Sequence, residues 1–386
     1  MIFPDRDRTA GNARSSPAAD PAQYSVKNEW FLAAALGTGL IFLGFHDHLF
    51  TRLNNPAWLA ALLLWLFAIV LGSALNVVRH AEKIAERLGE PFGTLVLTLS
   101  ITGIEVMSIT AVMLHGEPNP TLVRDTLYSV VMIVLGGMVG LSLLLGALRH
   151  REQQYNLQGA NAYFGVIVPL AVFSLVLPDF TVAANGPTLS GLQQIAVGLM
   201  AAGLYVAFLL LQMGRHRGYF ALPEQSVEHA RIAGQTTSVW PHVWLLLAYM
   251  VPIVFLVDQL ARPIDYITET LGAPDAISGV IIAILVAAPE GIGAVQAARR
   301  NHLQRSVNIF LGSVLSTIGL TVPIMLTVAW ITGHNLILGL EHVDLVLLVL
   351  TLAVSLITFG SGRTHVLQGL VHVLLFLSFL LFVFQD

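Results

Sequence analysis

Two glutamates stand out among the residues of this 386-residue chain that could do chemistry. Glu105 lies in "SITGIEVMS" and Glu290 in "ILVAAPEGIGAV", each inside a stretch otherwise built of apolar and small residues. A charged side chain near the middle of a bilayer costs about 2.5–3.5 kcal/mol on insertion scales, and such residues mark ion or proton pathways. A carboxylate is a hard oxygen ligand for a cation and also a proton acceptor. Two carboxylates with one Ca2+ sum to zero charge, and so do two carboxylates with two protons. The empty, doubly ionised pair would carry two negative charges in a low dielectric and pay a large desolvation cost. Metal and protons would therefore compete for one site, and only the occupied, neutral states would pass from one side to the other.

Both glutamates sit beside residues that disturb helices: Gly103 on one side, Pro289 and Gly291 on the other. Proline removes a donor and frees the carbonyl four residues earlier. Unwound backbone at membrane depth is tolerated where it lines a cavity. The pattern predicts helix breaks at Gly103, Pro289 and Gly291, with carbonyls near Ile101, Thr102, Val286 and Ala287 as further ligands. Hydroxyls of Thr102, Ser129, Ser313 and Thr317 would supply the remaining oxygens of a six-to-eight-fold Ca2+ shell. The expected metal ligands proper are Glu105 and Glu290. No resident cofactor is expected: the cation, Ca2+ or else Na+ or K+, and the protons are cargo.

The elements that must position these groups are membrane spans. The chain is 55% hydrophobic and only 11% charged, against about 25% charge in soluble domains. The net charge of −4 argues against nucleic-acid binding, and the absence of cysteine excludes thiolate chemistry. The partners implied are the lipid bilayer and small inorganic cations. With about 20 apolar residues per span, candidates fall at 28–50, 57–76, 91–114, 125–148, 162–184, 191–213, 242–261, 276–298, 307–332, 343–359 and 364–385. The fold class expected is an all-α polytopic membrane protein of about eleven transmembrane helices. With the N-terminus cytoplasmic and the C-terminus outside, every Lys and Arg except Arg52, Arg124 and Arg262 falls on the inner side, as the positive-inside rule requires.

The segments that carry Glu105 and Glu290 are the third and eighth spans, an odd step of five, so the two cross in opposite senses. That is the signature of inverted repeats, here spans 2–6 and 7–11 with one extra N-terminal helix. "RDTLYSVVMIVLGGMVG" and "VNIFLGSVLSTIGLTVP" follow the two glutamates, with Arg124 aligned to Asn308 and Ser129 to Ser313. The organisation expected is a disordered cytoplasmic N-terminus (1–27), the first span and its loop (28–56), a first repeat (57–213), a cytoplasmic connection (214–241) and a second repeat (242–386). The N-terminus has no apolar run followed by a cleavage site, so no signal peptide is expected.

Four sequence segments resemble a known family: "GEPFGTLVLTLSITGIEVMSI", "PTLVRDTLYSVVMIVLGGMVGLSLLLGALRH", "APEGIGAV" and "NIFLGSVLSTIGLTVP". They are similar to the bacterial sodium–calcium/proton antiporters of the cation/Ca2+ exchanger superfamily, and the likeness covers residues 72 to 375. The resemblance implies Ca2+/H+ exchange, with Na+/H+ or K+/H+ exchange as the alternative, in the bacterial inner membrane. It implies that Glu105 and Glu290 bind the ion and that Ser129, Ser313 and Thr317 line its site. The eukaryotic proton exchangers carry a "GNxxE" pattern where this chain reads "TGIE" and "AAPE", so side-chain amides are fewer here. The connection 214–240 is not an acidic run, which gives no sign of a calcium-sensing tail.

Other polar groups have plainer readings. The segment 78–91, with His80, Glu82 and Glu86, reads as a solvated helix; the rival is a pH-sensing mouth. "HDH" (46–48) lacks the i, i+3 or i+4 spacing of helical metal ligands and reads as interfacial. Asp125 reads as a helix cap, and Asp258, Asp265, Glu269 and Asp275 as charges around one outer connection. His334, His342, His365 and His372 have no evident partners. An intramembrane acidic hydrolase and a cation channel are the competing functional classes; the inverted repeat has no role in the first, and coupling to protons separates an exchanger from the second.

Overall fold

Apolar length sets the elements. The computed structural model describes residues 29–88, 92–115, 119–183, 186–220 and 238–384. The tail 1–27 and most of the connection 214–241 lie outside them. Among the described residues, ten helices are long and apolar enough to cross a membrane. They are α2 (Pro56–Leu88), α3 (Phe92–Met113), α4 (Leu122–His150), α5 (Leu157–Phe180), α6 (Gly191–Met213), α7 (Trp240–Thr270), α8 (Ala276–Arg299), α9 (Leu303–Thr332), α10 (His342–Phe359) and α11 (Val366–Val383). The first of the eleven expected spans is shorter: α1 (Trp30–Gly44) stops at Phe45, and a separate turn, His46–Phe50, continues it. At 1.5 Å per residue, fifteen residues span about 22 Å, less than the roughly 30 Å of a hydrocarbon core.

α4 and α9 form the centre. Of their apolar stretches 83% and 72% is buried, against 28–56% for the other spans. They occupy the same position in the two five-helix units, and each changes to π geometry midway, at Met132–Met138 and at Thr317–Thr321. π turns recur at functional sites.

Small residues let the other helices approach α4. A Cβ on Gly279 of α8 would come within 2.7 Å of the Asp125 and Thr126 backbone, and one on Gly369 of α11 within 2.6 Å of the Leu144 nitrogen. Without a hydrophobic drive between helices in lipid, such close backbone packing is a main source of their association. Gly279→Val should therefore destabilise the α4–α8 contact by about 1–3 kcal/mol, as overpacking does, seen as a lower melting temperature in detergent. An unchanged melting temperature would show that this contact is slack.

The connections sort into two ends. At one, Gln153 after α4 reaches Ala298 in the last turn of α8 and Asn301 just after it, and Gln153–Gln154 pairs antiparallel with Arg363–Thr364 after α10. At the other, Ile337 after α9 bonds to Pro120 before α4, and Gly339 bonds to Pro187 after α5. Connections that follow even-numbered helices meet one another, and so do those that follow odd-numbered ones, as alternate crossing demands.

Four expectations are corrected. The helix breaks at Gly103, Pro289 and Gly291 are absent: α3 and α8 are continuous α-helix through all three positions. In lipid no water competes for the backbone, so a lone proline forfeits one bond while its neighbours keep the helix. The segment 78–88 is helix as expected, the end of α2, but one face of it is covered rather than solvated. There His80 bonds His242 of α7 between Nδ1 atoms at 2.9 Å, and Arg79 and Tyr249 both bond Glu29. Asp125 does not cap α4; it pairs with Arg124 at 2.7 Å and accepts from Thr121. Asp258, Asp265 and Glu269 belong to α7 rather than to a loop, and Asp258 contacts His115.

Candidate cation-binding site

α3 carries Glu105 and α8 carries Glu290, and one face of α9 reaches both. The Thr317 hydroxyl donates to Glu105 Oε2 at 3.1 Å. Ser313, four residues earlier, lies against the Glu290 carboxylate. Four residues of helix rise about 6 Å, so two carboxylates from different halves of the sequence flank about one turn of α9.

Glu105 is 1% exposed and Glu290 is partly buried. Glu105 Oε1 and Glu290 Oε2 are inaccessible and have no hydrogen-bond partner; the same holds for the hydroxyls of Thr102, Ser108 and Thr321. Buried polar atoms without partners are rare and call for an explanation. Glu105 Oε1, Glu290 Oε2 and the Thr321 hydroxyl facing Glu105 are hard oxygens at the two acids, the donor type that Ca2+, Na+ or a proton would take.

The other expected ligands divide. Thr102 is buried one turn before Glu105 with its hydroxyl free. Ser129 is buried on α4, three residues before the π segment, and bonds to neither glutamate. The carbonyls of Ile101, Thr102, Val286 and Ala287 lie in unbroken α-helix. There the carbonyls of Ile101 and Val286 take the backbone N–H of Glu105 and Glu290 themselves. The carbonyl that Pro289 leaves without a donor belongs to Leu285. Instead of broken α3 and α8, π turns occur in α4 and α9, the latter bonded to Glu105 through Thr317, and also in α5 at Val172–Val176 and in α7 at Tyr266–Thr270. Met138, the last residue of the α4 π segment, fills the space over Gly291.

Thr321 was not anticipated. It faces Glu105, although its Oγ1 makes no hydrogen bond. The signal was present: Ser313, Thr317 and Thr321 recur every four residues in "GSVLSTIGLT", a hydroxyl stripe along one helix face. Among the described residues no three His, Cys, Asp or Glu side chains converge on a metal position, so ligands beyond the two acids must be hydroxyl, carbonyl or solvent oxygens. A cleft of 760 Å³ opens at the end of the odd-numbered connections, lined by Met113 of α3, Gln194 of α6 and Asn335, among others. Met113 stands two turns of α3 beyond Glu105.

The y4hA protein of Sinorhizobium fredii is 42% identical over 282 residues, 73% of this chain and 77% of that one. The sodium-potassium/proton antiporter ChaA of Escherichia coli is 40% identical over 286 residues, with the same coverage of each. In fold, native YfkE superposes with a TM-score of 0.72 over 93% of this chain and 99% of its own, at 18% identity. The H+/Ca2+ exchanger CAX superposes at 0.66 over 92% and 88%, at 15% identity. The pattern of the sodium/calcium exchanger protein family matches residues 58–214 and 241–385. With both five-helix units inside that match, the chain is a multi-pass membrane protein that belongs to the sodium/calcium exchanger family.

Proposed function

We infer that this chain is a secondary active cation/proton antiporter that works by alternating access around Glu105 and Glu290. The observation that carries the reading is the pair of carboxylates from α3 and α8 on one turn of α9, each with a buried oxygen that nothing in the protein satisfies. Bound cation or bound protons neutralise that pair, and neither state leaves a bare double charge in the membrane. The family is one of transporters, so the hydrolase reading falls away.

Two cargoes are supported by relatives. The 40% identity to a sodium-potassium/proton antiporter favours Na+ and K+. A Synechocystis Ca(2+)/H(+) antiporter, 25% identical over 64% of this chain, and the hard-oxygen donor set favour Ca2+. The membrane is the bacterial inner membrane, with the end that carries Arg79, Lys83, Arg149 and Arg299 cytoplasmic, and the cation leaves as protons enter.

The test is dissipation of a preformed pH gradient in everted vesicles on addition of Ca2+, Na+ or K+ in turn. Proton release with at least one cation, and no current without exchange, is the expected result. Uncoupled current would mean a channel. Thr317→Val should raise the half-saturating cation concentration about tenfold by removing a hydrogen bond to a charged acceptor. The cation titration of the same vesicles measures this.

A further inference from the structure

His372 lies in the middle of α11, is 0% exposed, and touches neither glutamate. Its Nδ1 lies 2.6 Å from the Leu135 carbonyl oxygen and its Nε2 3.0 Å from the Thr358 hydroxyl. A carbonyl only accepts, so Nδ1 carries the hydrogen. In the neutral ring Nε2 is then the acceptor and Thr358 the donor. The tautomer is fixed by the partners.

Leu135 is the middle residue of the α4 π segment Met132–Met138. Passage from α to π geometry shifts the backbone ladder, and a side chain inserted there holds the distortion in place. α11 packs along one side of this segment, with Phe376 against Gly136 and Gly137 and Val373 against Gly140. Met138, on its other side, meets Gly291 of α8, the residue next to Glu290. The imidazole therefore ties down a distorted turn whose opposite side touches the helix of one of the two acids.

The other half of the molecule lacks this device. The π segment of α9 is backed by α6, where Tyr205 packs on Gly319 as Phe376 packs on Gly136. One turn before Tyr205 stands Ala201, buried at 0%, where α11 has His372. The α9 segment is instead bonded to its acid directly, through Thr317.

We propose that His372 is a positioning residue: its hydrogen bond to the Leu135 carbonyl sets the α4 π turn, and through Met138 and Gly291 the placement of Glu290 in the cation site. The proposal rests on the antiport reading above. It is tested in everted vesicles with the full-length protein, titrating Ca2+ and, in parallel, K+, and normalising rates to inserted transporter. The Asn amide nitrogen stands the same number of bonds from Cα as Nδ1, so Asn can donate to Leu135; Phe fills the ring's volume and donates nothing.

His372→Phe and His372→Ala should each raise the half-saturating cation concentration about tenfold with the maximal rate per transporter nearly kept, and His372→Asn should recover most of the affinity. A phenylalanine variant with wild-type affinity would reduce His372 to packing and overturn the proposal. So would variants that lose only inserted protein, with unchanged half-saturation. Glu105→Gln and Glu290→Gln run alongside. If those two still exchange, the site reading at the two glutamates, on which the proposal rests, fails; if they are inactive and the His372 variants keep wild-type affinity, only the positioning role fails.

Discussion

Glu105→Gln and Glu290→Gln are each expected to lower proton-coupled cation flux at least a hundredfold, on the order of the effect of stripping one partner from a buried charge pair. Glutamine keeps the shape of the side chain, and its amide oxygen can still accept from Thr317, which now donates at 3.1 Å to Glu105. It brings no negative charge to a cation and takes no proton in exchange. Insertion should be undisturbed, since the substitution removes a charge from a site where burial is costly. The measurement is the vesicle pH-gradient assay beside fluorescence-detected size exclusion. Wild-type flux in either variant would remove that carboxylate from the mechanism. Loss of monodisperse protein would instead mean that the acid serves folding.

Arg124→Ala should produce the largest loss of stability, about 3–5 kcal/mol. Arg124 is 7% exposed and Asp125 3%. They are joined at 2.7 Å, and the guanidinium also donates to the Gly339 carbonyl and lies 3.5 Å from Glu341. The interaction ties the start of α4 to the connection before α10. Truncation leaves Asp125 as a buried charge beside the close α4–α8 contact at Gly279. The double variant Arg124→Ala/Asp125→Ala should recover much of the loss, because most of it is the cost of the stranded acid. Melting curves of the wild type, Arg124→Ala, Asp125→Ala and the double variant in detergent give the coupling directly. A double variant no better than the single would assign the loss to the bonds that Arg124 makes to Gly339 and Glu341.

The spans were legible because lipid imposes one rule, about twenty apolar residues with an internally bonded backbone. The sequence obeys it ten times over, and α1 obeys it only with the turn beyond Phe45. The two acids were legible because their types contradict their surroundings. The ligand geometry was not. Proline and glycine beside Glu105 and Glu290 suggested breaks, yet the distortions fall in "MIVLGGM" and "TIGLT", segments that would read equally well as plain α-helix. What meets those turns comes from helices remote in sequence: Phe376 on Gly136 and Tyr205 on Gly319. The same holds for the histidines. His80 finds His242 162 residues away and His372 finds Leu135 237 residues away, separations at which local pattern carries no information.

α2 is 33 residues long, about 50 Å at 1.5 Å per residue. To fit wholly inside roughly 30 Å of hydrocarbon it would have to lean more than 50°, beyond the 0–40° seen for such helices. Its last three turns, from Arg79 onward, must therefore project past the acyl chains into the headgroup and water layers. The projecting end is tied laterally, by Arg79 to Glu29, by Arg87 to the Ser238 carbonyl and by Glu82 to Arg305 at 3.9 Å. A rigid rod held this way turns a change of lean inside the bilayer into sideways travel of its protruding tip, so the thickness of the surrounding lipid becomes a mechanical load on the starts of α7 and α9.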